Sequence, residues 1–399
     1  MLDSASFRLD DWLRQIEDLL GDFNIDEAAR SSGALVRRRG VPSARALLHL
    51  ALARGPGGLS LRQTAAWARL GGIADLTDAS LNDRLHQSCD FLGAVAAAML
   101  RFQPDAGAAR WTGRSVRIAD GTCVSKPGGK YGVSGADWRI HAVYDLGAGG
   151  FSHFEVTDGR GAEALDRGAP IAGEIRIADR GYANARAINR FVAAAESADF
   201  VVRLRWSACK LLDRQGAPFD LIGHLQTLPP DSQIDDVPVL IAGGGQPLRA
   251  RLVIRRKAPE HVAAEIKRLR RMAAKNNRDL HPSSLAAAEF VVLATSLDAD
   301  YPAEEILRLY RLRWQIELAF KRLKSLLHID RLPAKTERGG LSWLYAHLIL
   351  AIAVDASTQE MLDSFPSGPS GPAIPPVAMA RLQDGRSGAH PVHPRIDQH

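Results

Sequence analysis

The sequence predicts an α/β (α+β) protein in which a helical region precedes a mixed sheet. Residues 1 to about 105 show helical spacing of their apolar positions. From Trp111 onward, short apolar strands alternate with helices. A long amphipathic helix is predicted over residues 301–327, because this stretch contains no glycine and its only proline, Pro302, falls in the first turn.

The first 108 residues are predicted to form a helical DNA-binding region. Helices are expected over residues 12–20 and 44–53, before a break at Gly-Pro-Gly-Gly, residues 55–58. Two short helical patterns follow, and Asp78 or Ser80 is a candidate cap for the second. This is the outline of a helix-turn-helix, although helical hairpins that read no DNA are far commoner. The candidate groove contacts are Arg84, His86 and Gln87.

Residues 109–206 are predicted to form the first part of the sheet core. Strands are expected over residues 115–119, 138–146, 151–157, 174–178 and 199–206, with helices over 162–167 and 183–197. Asp120 and Asp179 each follow the apolar end of a strand, where open α/β sheets usually place their chemistry. Each aspartate alone is more often a turn or cap residue.

Residues 207–288 interrupt this alternation and are predicted to be a β-rich insertion. Residues 237–242 and 248–255 read as a hairpin around three glycines. Residues 251–278 hold ten Lys or Arg against Glu260 and Glu265. This basic segment is either a solvated helix face or a surface for DNA phosphates, and without interleaved aromatic residues it is not a stacking platform for single strands.

Residues 289–362 are predicted to complete the core, with a strand over 289–296 followed by the long helix. The tail over residues 363–399 is rich in proline and glycine, has no apolar period and is expected to be disordered.

One stripe of the predicted long helix combines a phenol, two cations and a carboxylate. Tyr310, Arg313, Glu317 and Lys324 lie 0, 3, 7 and 14 residues along it, and a turn of about 100° per residue puts them on one face. The stripe could be only a salt-bridge ladder with i, i+4 spacing. Together with Asp120 and Asp179, however, Glu317 would complete a set of three hard oxygen ligands that suits Mg²⁺ or Mn²⁺ rather than zinc. This order of strands, helix and acids is the outline of a ribonuclease-H-like nuclease core.

The composition is that of an ordinary globular protein with room for a nucleic-acid partner. Apolar residues make up 46% of the chain. There are 51 Lys and Arg residues against 45 Asp and Glu residues, and the pI is near 9.4. Three separated cysteines form neither a disulfide framework nor a zinc spacing, which favours a reducing cytoplasm. The N-terminus lacks a signal-peptide pattern and the most apolar run, residues 343–354, is short for a bilayer, so no membrane role is expected.

Three motifs, in order along the chain, resemble those of a known enzyme family. The signature Y-x2-R-x3-E-x6-K is complete, as Tyr310, Arg313, Glu317 and Lys324. The second-acid motif D-x-G-Y/F is matched by Asp179, Gly181 and Tyr182. The first-acid motif, an apolar strand ending in D-G/S-T, is matched by Asp120, Gly121 and Thr122. Residues 138–141 also resemble the W-R-x-H strand that follows. From about residue 30 to 355, the sequence is similar to DDE transposases of the IS-four family, the group that includes the transposase of Tn-five.

The resemblance implies a function and a role for each motif residue. Asp120, Asp179 and Glu317 would hold two Mg²⁺ ions, for which Mn²⁺ can substitute. Arg313 and Lys324 would contact the terminal phosphates, and Tyr310 would help to position them. The implied reaction is cleavage of double-stranded DNA at transposon ends followed by transfer of the 3′-hydroxyl into target DNA, by a homodimer in a synaptic complex in the bacterial cytoplasm.

Two features leave alternatives open. Relatives continue with more helix beyond the equivalent of Ala351, whereas this chain soon enters its proline-rich tail, so a truncated copy that represses transposition by occupying DNA ends is one alternative. A purely hydrolytic nuclease on the same core is another. Trp206 or Trp314 is a candidate for stacking on an extruded base, although a core position is the commoner fate of tryptophan.

Overall fold

The computed structural model describes residues 3–101, 111–126, 137–243, 245–326 and 336–364, with side chains for residues 12–100 and for the later stretches up to 321 and from 336 to 357. Residues 1–360 form one compact unit. Residues 127–136, and the predicted disordered tail from residue 365 on, lie outside the described residues.

The helical N-terminal region has its own apolar core. Its helices are α1 (Asp3–Leu20), α2 (Ile25–Ser31), α3 (Ala44–Arg54), α4 (Leu61–Leu70), α5 (Asp78–Gln87) and α6 (Cys89–Arg101). The predicted helix pair on either side of residues 71–72 is therefore present as α4 and α5. The cap of α5 was predicted wrongly, since Thr77 rather than Asp78 or Ser80 accepts the hydrogen bond, from the Ser80 N–H.

The described strands form one nine-stranded mixed sheet in the order β3-β2-β1-β4-β5-β9-β8-β7-β6. The strands are β1 (Val116–Ser125), β2 (Asp137–Asp145), β3 (Gly150–Asp158), β4 (Ile175–Ala178), β5 (Asp199–Arg203), β6 (Lys210–Leu212), β7 (Ile234–Ala242), β8 (Leu248–Arg256) and β9 (Phe290–Thr295). Strands β1, β4 and β5 pair in parallel, and the remaining pairings are antiparallel. The predicted hairpins β2–β3 and β7–β8 are both confirmed.

The two faces of the sheet are covered by different helices. Side chains alternate along each strand, so Ile118 and Ile177 pack on one face while Ala119 and Ala178 pack on the other. The first face is covered by α11 (Ala303–Arg311), α12 (Trp314–Leu326) and part of α13 (Glu337–Ser364). The second face is covered by α7 (Ala185–Ala194) and α8 (Leu221–Thr227).

The segment predicted as a β-rich insertion extends the core sheet. Strand β8 pairs directly with β9, so the β7–β8 hairpin continues the sheet beyond the strand that precedes α11. The segment also holds α9 (Pro259–Lys275) and α10 (Pro282–Ala288). None of the α9 residues, all of which the structure describes, is buried.

Helix α13 joins the helical region to the sheet. Ala346 and Ile349 belong to the core of the N-terminal helices, whereas Leu344 and Leu348 belong to the core on the first face of the sheet. Among the described residues, α13 is the single helix long and apolar enough to cross a membrane, with a mean hydropathy of 1.4 over Glu337–Ser357. More than half of that apolar stretch, 56%, is buried inside the protein, as expected for a core helix.

Two helix predictions were wrong. Residues 162–167 form turns and irregular chain rather than a helix, because the buried Arg176 guanidinium draws in the carbonyls of Leu165, Arg167 and Gly168 as hydrogen-bond acceptors. The predicted long helix breaks between α11 and α12, where Leu312 and its neighbours bond three residues back instead of four. No glycine or proline marks that break.

Candidate active site

The first two candidate acids lie side by side at one edge of the sheet. Parallel pairing of β1 with β4 aligns Ala119 with Ala178, so Asp120 and Asp179 each come one residue beyond the last aligned pair. Asp120 was expected to end its strand, but β1 continues through it to Ser125 and pairs Asp120 with Ala142 of β2. From Asp120 onward, β1 is therefore still paired with β2 but no longer with β4.

Alternation points both carboxylates toward α11 and α12. Ile118 and Ile177 pack on that face, and Asp120 and Asp179 follow them by two residues. Asp179 begins the 3₁₀ turn Arg180–Tyr182 but makes no side-chain cap, so its carboxylate is left for other partners. One of these is Tyr310 at the end of α11, whose hydroxyl donates to Asp179 Oδ1 at 3.2 Å.

The break between α11 and α12 keeps the predicted stripe together. Arg313, in the break, donates from Nη2 to Glu317 Oε1 at 2.6 Å, and its Nη1 lies 3.9 Å from Asp120 Oδ2. Its guanidinium carbon lies 6.0 Å from the centre of the Tyr310 ring. The described structure thus links Asp120, Asp179, Tyr310, Arg313 and Glu317 through one set of contacts. The side chain of Lys324, the fourth stripe residue, lies outside the described residues.

The first acid is held in an electrostatically strained position. Burial raises the pKa of Asp120 to about 6, and the charges of Glu163 and Asp179 add to the effect. A hydrogen bond from the Gly121 N–H at 2.8 Å and the positive charge of Arg313 oppose it only in part. A further cation at this position would relieve the carboxylate. Burial, and then the Asp179 charge, also raise the pKa of Tyr310, which keeps it a hydrogen-bond donor.

A fourth carboxylate, Glu163, explains the glycine of the second-acid motif. A Cβ placed on Gly181 would lie 1.6 Å from Glu163 Oε2, so only glycine leaves room for this carboxylate in its present position. Glu163 Oε1 lies 3.8 Å from Arg139 Nη1 and 3.7 Å from the position that a Cβ would take on Gly121. Sequence reasoning missed Glu163 because it lies in the segment that was predicted to be helical. The unexplained glycine two residues after Asp179 was the available signal.

The donor chemistry fits a hard divalent cation, but the acids are not gathered into a finished site. Carboxylate oxygens without histidine or cysteine are what Mg²⁺ and Mn²⁺ prefer, and the desolvation of the half-buried Asp120 carboxylate is only partly offset by Arg313. Within the described part of the chain, no three His, Cys, Asp or Glu side chains are grouped closely enough to hold a metal ion. Glu317, whose side chain is 56% exposed, lies against Arg313 instead.

Two of the other candidate DNA contacts, Trp206 and Arg84, have partners inside the protein. Trp206 donates from its indole N–H to Ser284 Oγ at 3.2 Å and stacks on the His281 ring. Arg84 donates to the Arg37 carbonyl at 2.7 Å. These contacts give both side chains an intramolecular role in the DNA-free protein.

Comparison with known proteins identifies the family of the chain and agrees with its fold. Residues 111–353 match the family model described as the transposase DDE domain. The chain is 41% identical over 363 residues to the putative transposase InsL for insertion sequence element IS186A of Escherichia coli strain K12, covering 90% of this chain and 96% of that relative. It is 41% identical over 364 residues to the transposase for insertion sequence element IS421 of Escherichia coli, with the same coverage. A more distant match, 26% identical over 241 residues, is the transposase for insertion sequence element IS231F of Bacillus thuringiensis subsp. israelensis, of which it covers 50%.

The mixed sheet with its acidic edge defines an enzyme of the ribonuclease-H-like class. Within that class, the chain belongs to the DDE transposases of the IS-four type. Transposases cut DNA and join its strands, and members of this family use divalent metal ions. The predicted fold class and family are therefore confirmed.

Proposed function

We propose that Asp120, Asp179 and Glu317 are the catalytic acids of this transposase, and that they hold two Mg²⁺ ions, or Mn²⁺ in their place. The observation that carries the proposal is the shared position of Asp120 and Asp179 at one sheet edge, facing the helices that bear Tyr310 and Glu317. When bound, the metal ions would activate the attacking water or 3′-hydroxyl and stabilise the leaving oxygen of the phosphodiester.

The side chains around the acids have distinct tasks in this proposal. Tyr310 holds Asp179 in its orientation through the 3.2 Å hydrogen bond. Arg313 balances Asp120 and Glu317 before DNA arrives and turns to the phosphate afterwards, where its charge steadies the transition state. Lys324, on the same helix, provides a second phosphate contact.

Membership of the DDE transposase family supports a proposed reaction and a proposed assembly. The enzyme nicks DNA at a transposon end, and the released 3′-hydroxyl attacks target DNA without a covalent protein–DNA intermediate. We propose that it acts in the bacterial cytoplasm as a homodimer that pairs two ends. Residues 1–108 would bind the ends, residues 109–206 and 289–362 would carry the acids, and residues 207–288 would add contacts to the DNA backbone. No role is assigned to residues 363–399.

The proposal is tested with labelled DNA ends, Mg²⁺ and a target duplex. We expect Asp120→Asn, Asp179→Asn and Glu317→Gln to lose cleavage by at least about 100-fold while binding ends normally in EDTA. Glu305→Gln is the matched control, because Glu305 pairs with Arg308 on α11 away from the acids.

The products separate the rival functions. Joined target strands identify a transposase, whereas cut ends without joining would identify a hydrolytic nuclease. Binding of ends with no cutting by the wild-type protein would favour the repressor. Retained metal-dependent cleavage by the Glu317→Gln variant would overturn the three-acid site.

A further inference from the structure

Beyond the catalytic acids, the same sheet edge gathers positive charge. Strand β5 runs parallel to β4 and ends at Arg203, on the side where β4 ends just before Asp179. Strand β9 runs antiparallel to β5, and β8 antiparallel to β9, so the end of β8 returns to this edge. Lys257 is the first residue after β8. Two cations, at the end of β5 and just after β8, therefore lie at the same edge of the sheet as the second acid.

The helix after β8 places more charge over this edge. Glu265 of α9 accepts hydrogen bonds from Arg268 Nη2 at 2.7 Å and from Arg268 Nε at 2.8 Å. Its carboxylate also lies 3.5 Å from Arg180. Arg180 is the residue next to Asp179, which fixes the cluster within one residue of the catalytic edge. Arg180, Lys257 and Arg268 thus act on a single carboxylate, and the charge of Arg203 acts on Lys257.

All of these groups except Arg268 line a cleft of about 110 Å³, which we call the cation cleft. Its charged walls are formed by Arg180, Arg203, Arg205, Lys257 and Glu265. Its apolar floor includes Phe290 and Val292, and Trp206 stands at its side. The combination of an apolar floor and convergent cations strengthens attraction to an anion, because the local dielectric is low.

Resting on the function proposed above, we propose that the cation cleft binds a backbone phosphate of the DNA strand that enters the active site. Before DNA binds, Glu265 acts as an internal counter-ion that pairs with cations of this cluster, and the phosphate then replaces it. The cleft would give the insertion a direct part in seating the DNA next to Asp179.

The charges in the cleft exceed what the fold itself needs. Four cations line the cleft together with the carboxylate of Glu265, and the Arg203 side chain makes no ion pair or hydrogen bond with any residue that the structure describes. Lys257 donates to the Ala288 carbonyl at 2.7 Å but is otherwise surrounded by arginines, and burial, followed by the charge of Arg203, lowers its pKa to about 8. Positive charges held together at this cost are typical of a site that a phosphate neutralises.

The test measures how the affinity for duplex DNA ends depends on salt, in EDTA so that no cleavage occurs. Each lost phosphate contact reduces the slope of log K against log [salt] by about 0.9. We expect Arg203→Gln and Lys257→Gln each to lower the slope by about this amount. Arg190→Gln is the matched control. It removes an exposed arginine on α7 that pairs with Asp166, and it should leave the slope unchanged.

A third variant moves affinity in the opposite direction. Glu265→Gln removes the competing carboxylate, so DNA should bind several-fold more tightly and with a slope at least as steep. If the cluster only stabilised the insertion, this variant would lower the thermal stability and leave DNA affinity unchanged or weaker. That result would overturn the proposal.

Inorganic phosphate distinguishes the source of the anion. Stabilisation by millimolar phosphate that disappears in Lys257→Gln, together with an unchanged DNA salt slope, would assign the cleft to small anions and refute the DNA contact. If the wild type binds and cuts ends but Arg203→Gln and Lys257→Gln keep the wild-type salt slope, the cleft proposal is refuted and the proposed function still stands. If the wild type neither binds nor cuts ends, the proposed function fails and the cleft proposal with it.

Discussion

A buried ion pair behind the active edge is expected to carry much of the stability of this sheet. Arg176 on β4 and Glu174, the residue just before β4, have no exposed side-chain surface, and Arg176 Nε donates to Glu174 Oε1 at 2.6 Å. The same guanidinium lies 4.7 Å from the Phe191 ring centre, in addition to binding the three carbonyls of the segment before β4. Arg176→Met keeps most of the volume of the side chain and removes all of these donors.

The magnitude follows from what Arg176→Met leaves behind. Glu174 would keep the Ile171 N–H at 2.9 Å and the Arg117 guanidinium 3.7 Å away, but would lose its direct partner. Removing one member of a buried pair costs about 3–5 kcal/mol, because the other charge stays desolvated. We therefore expect the free energy of unfolding to fall by about 4 kcal/mol, out of the roughly 5–15 kcal/mol typical of a domain.

Urea denaturation followed by tryptophan fluorescence measures this change, with the double variant Glu174→Gln/Arg176→Met as the control. The double variant removes both charges, so it should be more stable than Arg176→Met alone. A cost below about 1 kcal/mol for Arg176→Met, or a double variant that loses the sum of both single costs, would refute the account of the pair.

Three further outcomes are expected. Tyr310→Phe removes the hydrogen bond to Asp179 and should lower the cleavage rate about 10- to 100-fold, while leaving DNA affinity in EDTA unchanged. DNA affinity should fall as the pH rises from 7 to 9, because Lys257, with a pKa near 8, binds phosphate in its protonated form, and Lys257→Gln should flatten this profile in a binding titration. Gly181→Ala should change the free energy of unfolding by less than about 1 kcal/mol, because the clash falls on the flexible end of Glu163, yet should reduce cleavage as that charge moves.

Most of the core could be predicted because its local signals agree with its fold. The strands that carry Asp120 and Asp179 are short apolar runs, and apolar runs of that length form buried strands whatever their neighbours do. The predicted long helix is broken, but Arg313 and Glu317 are still in contact, because the break at residues 312–313 is only a tighter turn.

The remaining features depend on contacts between distant segments. The helix predicted over residues 162–167 was lost to Arg176, whose burial outweighs local propensity. Lys257 and Arg203 are 54 positions apart in the sequence and meet only because β9 inserts between their strands. Register of that kind cannot be derived from the periodicity of either strand.

The central claim, that Asp120 coordinates a catalytic metal ion, is tested most directly by exchanging its oxygen ligand for sulfur. A thiolate is a poor ligand for Mg²⁺ and a better one for Mn²⁺. Asp120→Cys should therefore lose end cleavage in Mg²⁺ and regain a measurable part of it in Mn²⁺, whereas Asp120→Asn should stay inactive in both. Wild-type cleavage by Asp120→Cys in Mg²⁺, or by Asp120→Asn in either metal, would contradict the account.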